Sequence, residues 1–191
     1  INILGPFLMT RAAADAMRKK PHTPGGAPRG KVIDVSSGAG RGFAGDLVPY
    51  RVSKAGLLRL STALAAHLQP DGIEVNTVDV FATTPMVIAM GRLDHQDPAL
   101  AARMRKRAVS QEPTPEDNAP VFVWLASPKS DGVTGRNFGW NMNVDDLDRV
   151  RPRLIANARA LRIEMVPMEG IGLSPQSRDY QDRVAAMQKK G

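Results

Sequence analysis

Between residues 31 and 80, two short β-branched runs bracket one long helical stretch, and this order constrains the fold more than any other feature of the chain. Lys31 to Ser36 (Lys-Val-Ile-Asp-Val-Ser) is short and ends at Ser37-Gly-Ala-Gly, which predicts a strand. Tyr50 to Leu68 repeats Val52, Leu57, Leu60, Leu64 and Leu68 at helical spacing and stops at Gln69-Pro-Asp-Gly. Ile73 to Val80 predicts a second strand. Strands joined through a helix of that length run parallel, since antiparallel neighbours need only a short turn. Phe7 to Lys20 adds an earlier helix that stops at Pro21, and residues 21–30 form a Pro/Gly-rich loop. A long loop region with Thr83-Thr84-Pro85 follows the second strand. Pro115-Glu-Asp opens a helix towards Ala126, and a third strand is expected within Asn137 to Val144. No internal repeat is present. The expected fold class is α/β with a parallel sheet. Three parallel strands rarely complete such a sheet, and the strand at Lys31 to Ser36 would lack a neighbour on one side. The chain opens on an apolar stretch, Ile1 to Thr10, with no helix cap before it, which points to a preceding segment.

Charge and composition remove several functions. The absence of cysteine excludes a disulfide framework, a thiolate zinc site and a cysteine nucleophile. Apolar runs such as Val121 to Ala126 fall far short of the roughly 18 residues of a membrane span. With no basic-then-apolar leader pattern, the reading points to the cytoplasm and to no membrane partner. A net charge of +7 invites nucleic acid. Yet no zinc finger, aromatic RNA-binding signature or basic zipper accompanies it, so nucleic acid is disfavoured. The densest basic cluster, Arg103 to Arg107, reads as the solvated part of a helix.

His22, His67 and His95 are scattered, without a second ligand at metal spacing, and read as surface residues. Tyr50-Arg-Val-Ser-Lys54 puts a phenol and an ammonium one helical turn apart on one face. A free phenol titrates near 10 and is a poor acid–base at neutral pH. An ammonium about 4 Å away, at an effective dielectric near 20, favours the phenolate by at most roughly 4 kcal/mol. Taken alone, the pair still reads as an ordinary surface contact. Ser37 lies thirteen residues before Tyr50 at a strand end, where side chains reach a cleft mouth, although a serine there also forms turns. Gly38, Gly40, Gly42 and Gly45 read as turn residues.

In this order the motifs resemble the short-chain dehydrogenase/reductase family: Asn2 in Asn-Ile-Leu-Gly-Pro-Phe, the strand ending Val-Ser-Ser37, Tyr50-x-x-x-Lys54, Ile-Glu-Val-Asn76 after Pro-Asp-Gly, and Thr84-Pro-Met. Pro115-Glu-Asp, Trp124-Leu-Ala-Ser and Val133-Thr-Gly135 add to the pattern. The resemblance covers about residues 1–140. It implies the C-terminal portion of a Rossmann-like doubly wound parallel sheet whose N-terminal strands are absent from the chain. Residues 1–150 would be the catalytic part of an NAD(P)-binding domain, and 151–191 a basic, helical extension.

The resemblance also implies roles. Tyr50 would be the general acid/base of an oxidoreductase interconverting a secondary alcohol and a ketone with NAD or NADP. Lys54 would favour the phenolate and hydrogen-bond the nicotinamide ribose, and Ser37 would orient the substrate oxygen. Asn2 would hold a water linking Lys54 to solvent, while Thr84 and the backbone near Ala82 would hold the nicotinamide carboxamide. The implied partners are a small alcohol or ketone and copies of the chain, as a homodimer or homotetramer through the helices at 2–20 and 50–68. Two departures stand out. Asp79-Val80-Phe81 replaces the Pro-Gly usual after the family's asparagine, with the stretch to Thr84 about one residue short. The family's Gly-x-x-x-Gly-x-Gly turn does not occur, which implies a preceding segment of roughly 90–110 residues, four strand–helix units at about 25–30 each. The alternative is a non-enzymatic, truncated or decayed relative acting as a binding or oligomerisation partner.

Overall fold

Gly30–Ser36 forms strand β1 and Ile73–Asp79 forms β2 in the computed structural model, which describes residues 1–41, 47–90, 98–110, 113–157 and 161. The two strands pair in parallel over their whole length, with Val32 opposite Val75 and Ser36 opposite Asp79. Asn137–Gly139 adds a short parallel β3 against the C-terminal end of β2, giving the order β1-β2-β3. Every residue of β2 is buried. Four of them are polar or charged, so this central strand is less apolar than a buried parallel strand is expected to be. Two of them are bonded locally: Asn76 Nδ2 donates to the Val133 carbonyl at 2.7 Å, and Thr77 Oγ1 donates to Asn137 Oδ1 at 2.6 Å. Buried hydrogen-bonding groups are tolerated when satisfied in this way.

Helices cover both faces. Helix α1 (Leu4–Met17) and helix α2 (Val48–Leu68) pack Ala14, Ala65 and Leu68 against Ile73 and Val75 of β2. On the opposite face, α5 (Ala119–Ala126) and α6 (Val144–Ala156) bring Val121, Trp124, Leu125, Leu147 and Leu154 onto Val78 and Phe138. The period-2 alternation of β2 feeds the two cores separately. The sheet with its two helical layers is thus the part of a Rossmann-like, doubly wound fold that this chain carries.

Both early helices start before their expected first residue, Phe7 and Tyr50. Pro6 and Pro49 lie in the first turns of these helices. Proline in a first turn costs nothing, because that N–H has no intrahelical partner. The region expected as a long loop after β2 contains α3 (Pro85–Met90) and α4 (Pro98–Ser110). The expected strand within Asn137 to Val144 ends at Gly139. Asn143 then caps α6, its side chain accepting from the Asp145 and Asp146 amides. His67 is exposed, but His22 is half-buried: its ring lies over Gly72, which at φ +70° carries no side chain to exclude it. His95, Gly42, Gly45 and most of the extension expected over 151–191 lie outside the described residues. No helix among the described residues is long and apolar enough to cross a membrane.

Candidate active site

The C-terminal ends of β1 and β2 point to one edge of the sheet, and the sequence-predicted residues gather there. β1 ends at Ser36, and Ser37 turns the chain into a single 3₁₀ turn, Gly38–Gly40, accepting a hydrogen bond from the Ala39 amide at 3.2 Å. The turn rests directly on α2. A Cβ on Gly40 would stand 2.9 Å from the Ala55 nitrogen, the Lys54 carbonyl carbon and a Leu58 methyl. Only glycine allows this approach, which couples the turn after Ser37 to the backbone at Lys54.

Tyr50 lies in the first turn of α2 with its side chain at the surface, 37% exposed. Lys54, one turn on, is 9% exposed. Its Nζ donates to the Val35 carbonyl at 2.9 Å and lies 5.8 Å from the centre of the Tyr50 ring. Burial pushes the Lys54 ammonium below its ordinary value, while the carboxylates of Asp34 and Asp79 pull it back up. Asp34, on β1, is itself buried, and that burial pushes its carboxyl up. Ser61 Oγ donates to its Oδ2 at 2.5 Å, and the charge of Lys54 acts in the same, lowering direction.

Asn2 stands in the turn before α1. Its Nδ2 donates to Ser53 Oγ at 3.0 Å, and Ser53 Oγ donates to the Tyr50 carbonyl at 2.7 Å. Asn2 is therefore anchored to α2 at the residue beside Lys54.

Beyond β2 the chain departs from the expected Pro-Gly in a specific way. Asp79, 4% exposed, pairs with Arg41 Nη2 at 2.5 Å and accepts from Asn137 Nδ2 at 3.0 Å. Arg41 belongs to the stretch just after Ser37, so this ion pair joins the two strand ends. The Ala82 carbonyl accepts from Arg107 Nη2 of α4 at 2.8 Å, and Thr84 Oγ1 accepts from the Val87 amide at 3.4 Å in the first turn of α3. Arg103, Arg105 and Lys106 are exposed, as a solvated helix face requires, but Arg107 turns inward and is half-buried.

Asp34, Arg41, Asn118 and Arg107 escaped the sequence reading. Arg107 sits inside a basic run that looks like a solvated face, and Asp34 inside an apolar strand; only their packing gives them a place at this edge. The edge as a whole offers donors and acceptors at strand ends, where open α/β sheets bind ligands. Two buried side-chain oxygens there, Ser36 Oγ and Asp79 Oδ1, have no hydrogen-bond partner among the described residues.

Comparison with known proteins agrees with the fold. A family model described as enoyl-(acyl carrier protein) reductase matches residues 1–141. The short-chain reductase protein NovJ of Streptomyces niveus is 33% identical over 138 residues, covering 71% of this chain and 50% of that protein. An inactive 2-(S)-hydroxypropyl-CoM dehydrogenase 2 of Xanthobacter autotrophicus is 29% identical over 137 residues, covering 71% and 56%. A 3-oxoacyl-[acyl-carrier protein] reductase of Brucella melitensis, solved with bound NAD, superposes at a TM-score of 0.54 with 27% identity, over 73% of this chain and 47% of that one. The chain spans about half the length of the curated relatives it matches. With the family's model aligned across the sheet, α2 and the Tyr50–Lys54 turn, the chain belongs to the short-chain dehydrogenase/reductase family.

Proposed function

We propose that these residues are the catalytic part of an NAD- or NADP-dependent oxidoreductase that interconverts a secondary alcohol and a ketone. The observation that carries the reading is Lys54: a buried ammonium, held on the Val35 carbonyl, facing the ring of a surface-exposed Tyr50. In the oxidising direction the alcohol's O–H proton passes to Tyr50 Oη, and in the reducing direction Tyr50 Oη returns it to the carbonyl oxygen. Lys54 stabilises the phenolate form through its charge, strengthened by burial. Ser37 Oγ uses a lone pair on the Ala39 amide, so its own hydrogen is free to donate to the substrate oxygen as charge develops there. Asn2, anchored through Ser53, would hold a water that links Lys54 to solvent.

The residues fit the nicotinamide–ribose end of such a cofactor. An ammonium has three N–H donors, and Val35 takes one of those of Lys54, leaving two for ribose hydroxyls. Backbone groups near Ala82, with Thr84, would hold the carboxamide. When bound, the cofactor supplies or accepts the hydride. No Gly-x-x-x-Gly-x-Gly turn occurs in the chain, so the fit does not extend to the phosphates. Exposed Leu4, Phe7 and Leu8 on α1 and Val48 and Val52 on α2 support a dimer or tetramer through these helices.

Tyr50→Phe in the full-length protein is the decisive variant. It is expected to abolish turnover of secondary alcohols while leaving cofactor affinity within about twofold, because the ring stays and only the proton carrier is lost. Turnover retained in the variant overturns the reading. A second reading, a non-enzymatic binding partner, is favoured by Asp79-Val80-Phe81 in place of Pro-Gly and by a relative described as inactive. It predicts no change in Trp124 or Trp140 fluorescence with either nicotinamide cofactor.

A further inference from the structure

Phe81 ends the Asp79-Val80-Phe81 stretch that stands where the family usually has Pro-Gly, and its ring does not hang free. The guanidinium of Arg107 lies over the ring, 3.7 Å from its centre. The indole of Trp140 stacks on it at 6.0 Å, with 24° between the planes. Arg107 also donates through Nη2 to the Ala82 carbonyl at 2.8 Å, so a single side chain grips the ring of one residue and the backbone of the next. The surrounding backbone is bound as tightly. Asn118 Oδ1 accepts from the Phe81 amide at 3.0 Å, and Asn118 Nδ2 donates to the Phe81 carbonyl at 3.3 Å. The Thr83 amide donates to the Pro113 carbonyl at 2.7 Å, and the Trp140 amide to the Asp79 carbonyl at 3.1 Å. Of these contacts, those of Arg107 reach the segment from α4. Guanidinium planes stack on aromatic faces and donate in the same plane, which lysine cannot do.

We propose that Arg107 is a positioning residue for the nicotinamide end of the cleft, clamping Phe81 against Trp140 and fixing the Ala82 carbonyl. The inference rests on the assignment of the Ala82–Thr84 segment to that end. A glycine leaves such a segment free to settle around its ligand, whereas Phe81 gives it a handle, and Arg107 holds the handle. The geometry of the segment then depends on α4, and affinity for the nicotinamide half depends on Arg107 although Arg107 need not touch it.

The test uses the full-length protein and two probes, the dinucleotide (NADH and NADPH, each titrated) and the matching ADP-ribose, which lacks nicotinamide. Arg107→Gln is expected to weaken the dinucleotide about tenfold, the scale of one lost hydrogen bond, and to leave ADP-ribose unchanged. Arg107→Lys keeps the charge but not the plane and is expected to fall between wild type and Arg107→Gln. In a Trp124→Phe background, Arg107→Gln also shifts the emission of Trp140, showing the clamp open in a folded protein. Dinucleotide affinity unchanged in both variants overturns the proposal, and so does equal weakening of both probes, which marks a general structural defect. Wild-type protein that binds ADP-ribose no more weakly than the dinucleotide removes the assignment of the segment itself, and the clamp's role with it.

Discussion

Lys54 Nζ donates a 2.9 Å hydrogen bond to the carbonyl of Val35, nineteen residues earlier in the chain. This one contact ties the second turn of α2 to the last residues of β1. It also explains how a flexible four-carbon side chain can serve as a fixed charge. The carbonyl is part of a strand pinned by β2, so the ammonium it holds cannot wander.

Asp34 tests that electrostatic arrangement. It acts on Lys54 through charge, pulling the ammonium upward against the effect of burial. Asp34→Asn keeps an acceptor for Ser61 but removes the charge. The ammonium of Lys54 then loses its proton at lower pH, and the alkaline limb of the pH–rate profile moves towards neutrality. A limb that stays in place, measured as kcat against pH in the full-length protein, would show that Asp34 does not act on Lys54.

Glu74 makes a prediction about stability. It is buried at the start of β2, its Oε1 accepting from the Gly132 amide at 2.5 Å, with Lys31 Nζ 3.6 Å from Oε2. Burial raises its carboxyl above the ordinary value, opposed by the Gly132 amide and by Lys31. A carboxyl raised in the folded state binds its proton more tightly there than in the unfolded chain. Its contribution to stability is therefore full below about pH 4.3 and declines as pH rises through the folded value. Glu74→Gln keeps the acceptor and removes this slope, while Lys31 retains Asp131 at 2.7 Å. Urea unfolding between pH 4 and 8 is expected to show a flatter profile for the variant, with neutral-pH stability no lower than wild type.

Gly40→Ala separates space from chemistry. The added methyl group meets backbone atoms of Lys54 and Ala55 at 2.9 Å, and backbone does not yield as a side chain does. The variant should lose about 1–3 kcal/mol in urea unfolding, the usual cost of overpacking. Its turnover should fall further than stability alone accounts for, because the turn that moves carries Ser37. Wild-type stability and turnover together would show that the turn has slack.

Much of the architecture was legible in the residues. The β1–α2–β2 order follows from periods of two and 3.6 and from proline and glycine at the joints, all of them local. The positions of Ser37, Tyr50 and Lys54 were legible too, because a motif of fixed spacing within one turn and one helix survives without knowledge of the fold. The starts of α1 and α2 were harder: a first-turn proline and a helix-breaking proline look alike until the neighbouring hydrogen bonds are seen.

The sequence by itself determined the parallel α/β order, the turn that ends β1 and the pairing of a phenol with an ammonium one helical turn away. Only the tertiary structure decided which charges meet. Arg107 and Arg103 have the same chemistry and lie four residues apart, yet one grips Phe81 and Ala82 while the other is exposed to solvent. Asp79 finds Arg41 thirty-eight positions away because parallel pairing brings the ends of β1 and β2 side by side. Local sequence encodes backbone conformation through short-range sterics and hydrogen bonds. Long-range partners depend on which helix face is buried and where two strand ends come to lie, and those are set only when the sheet and its helices pack.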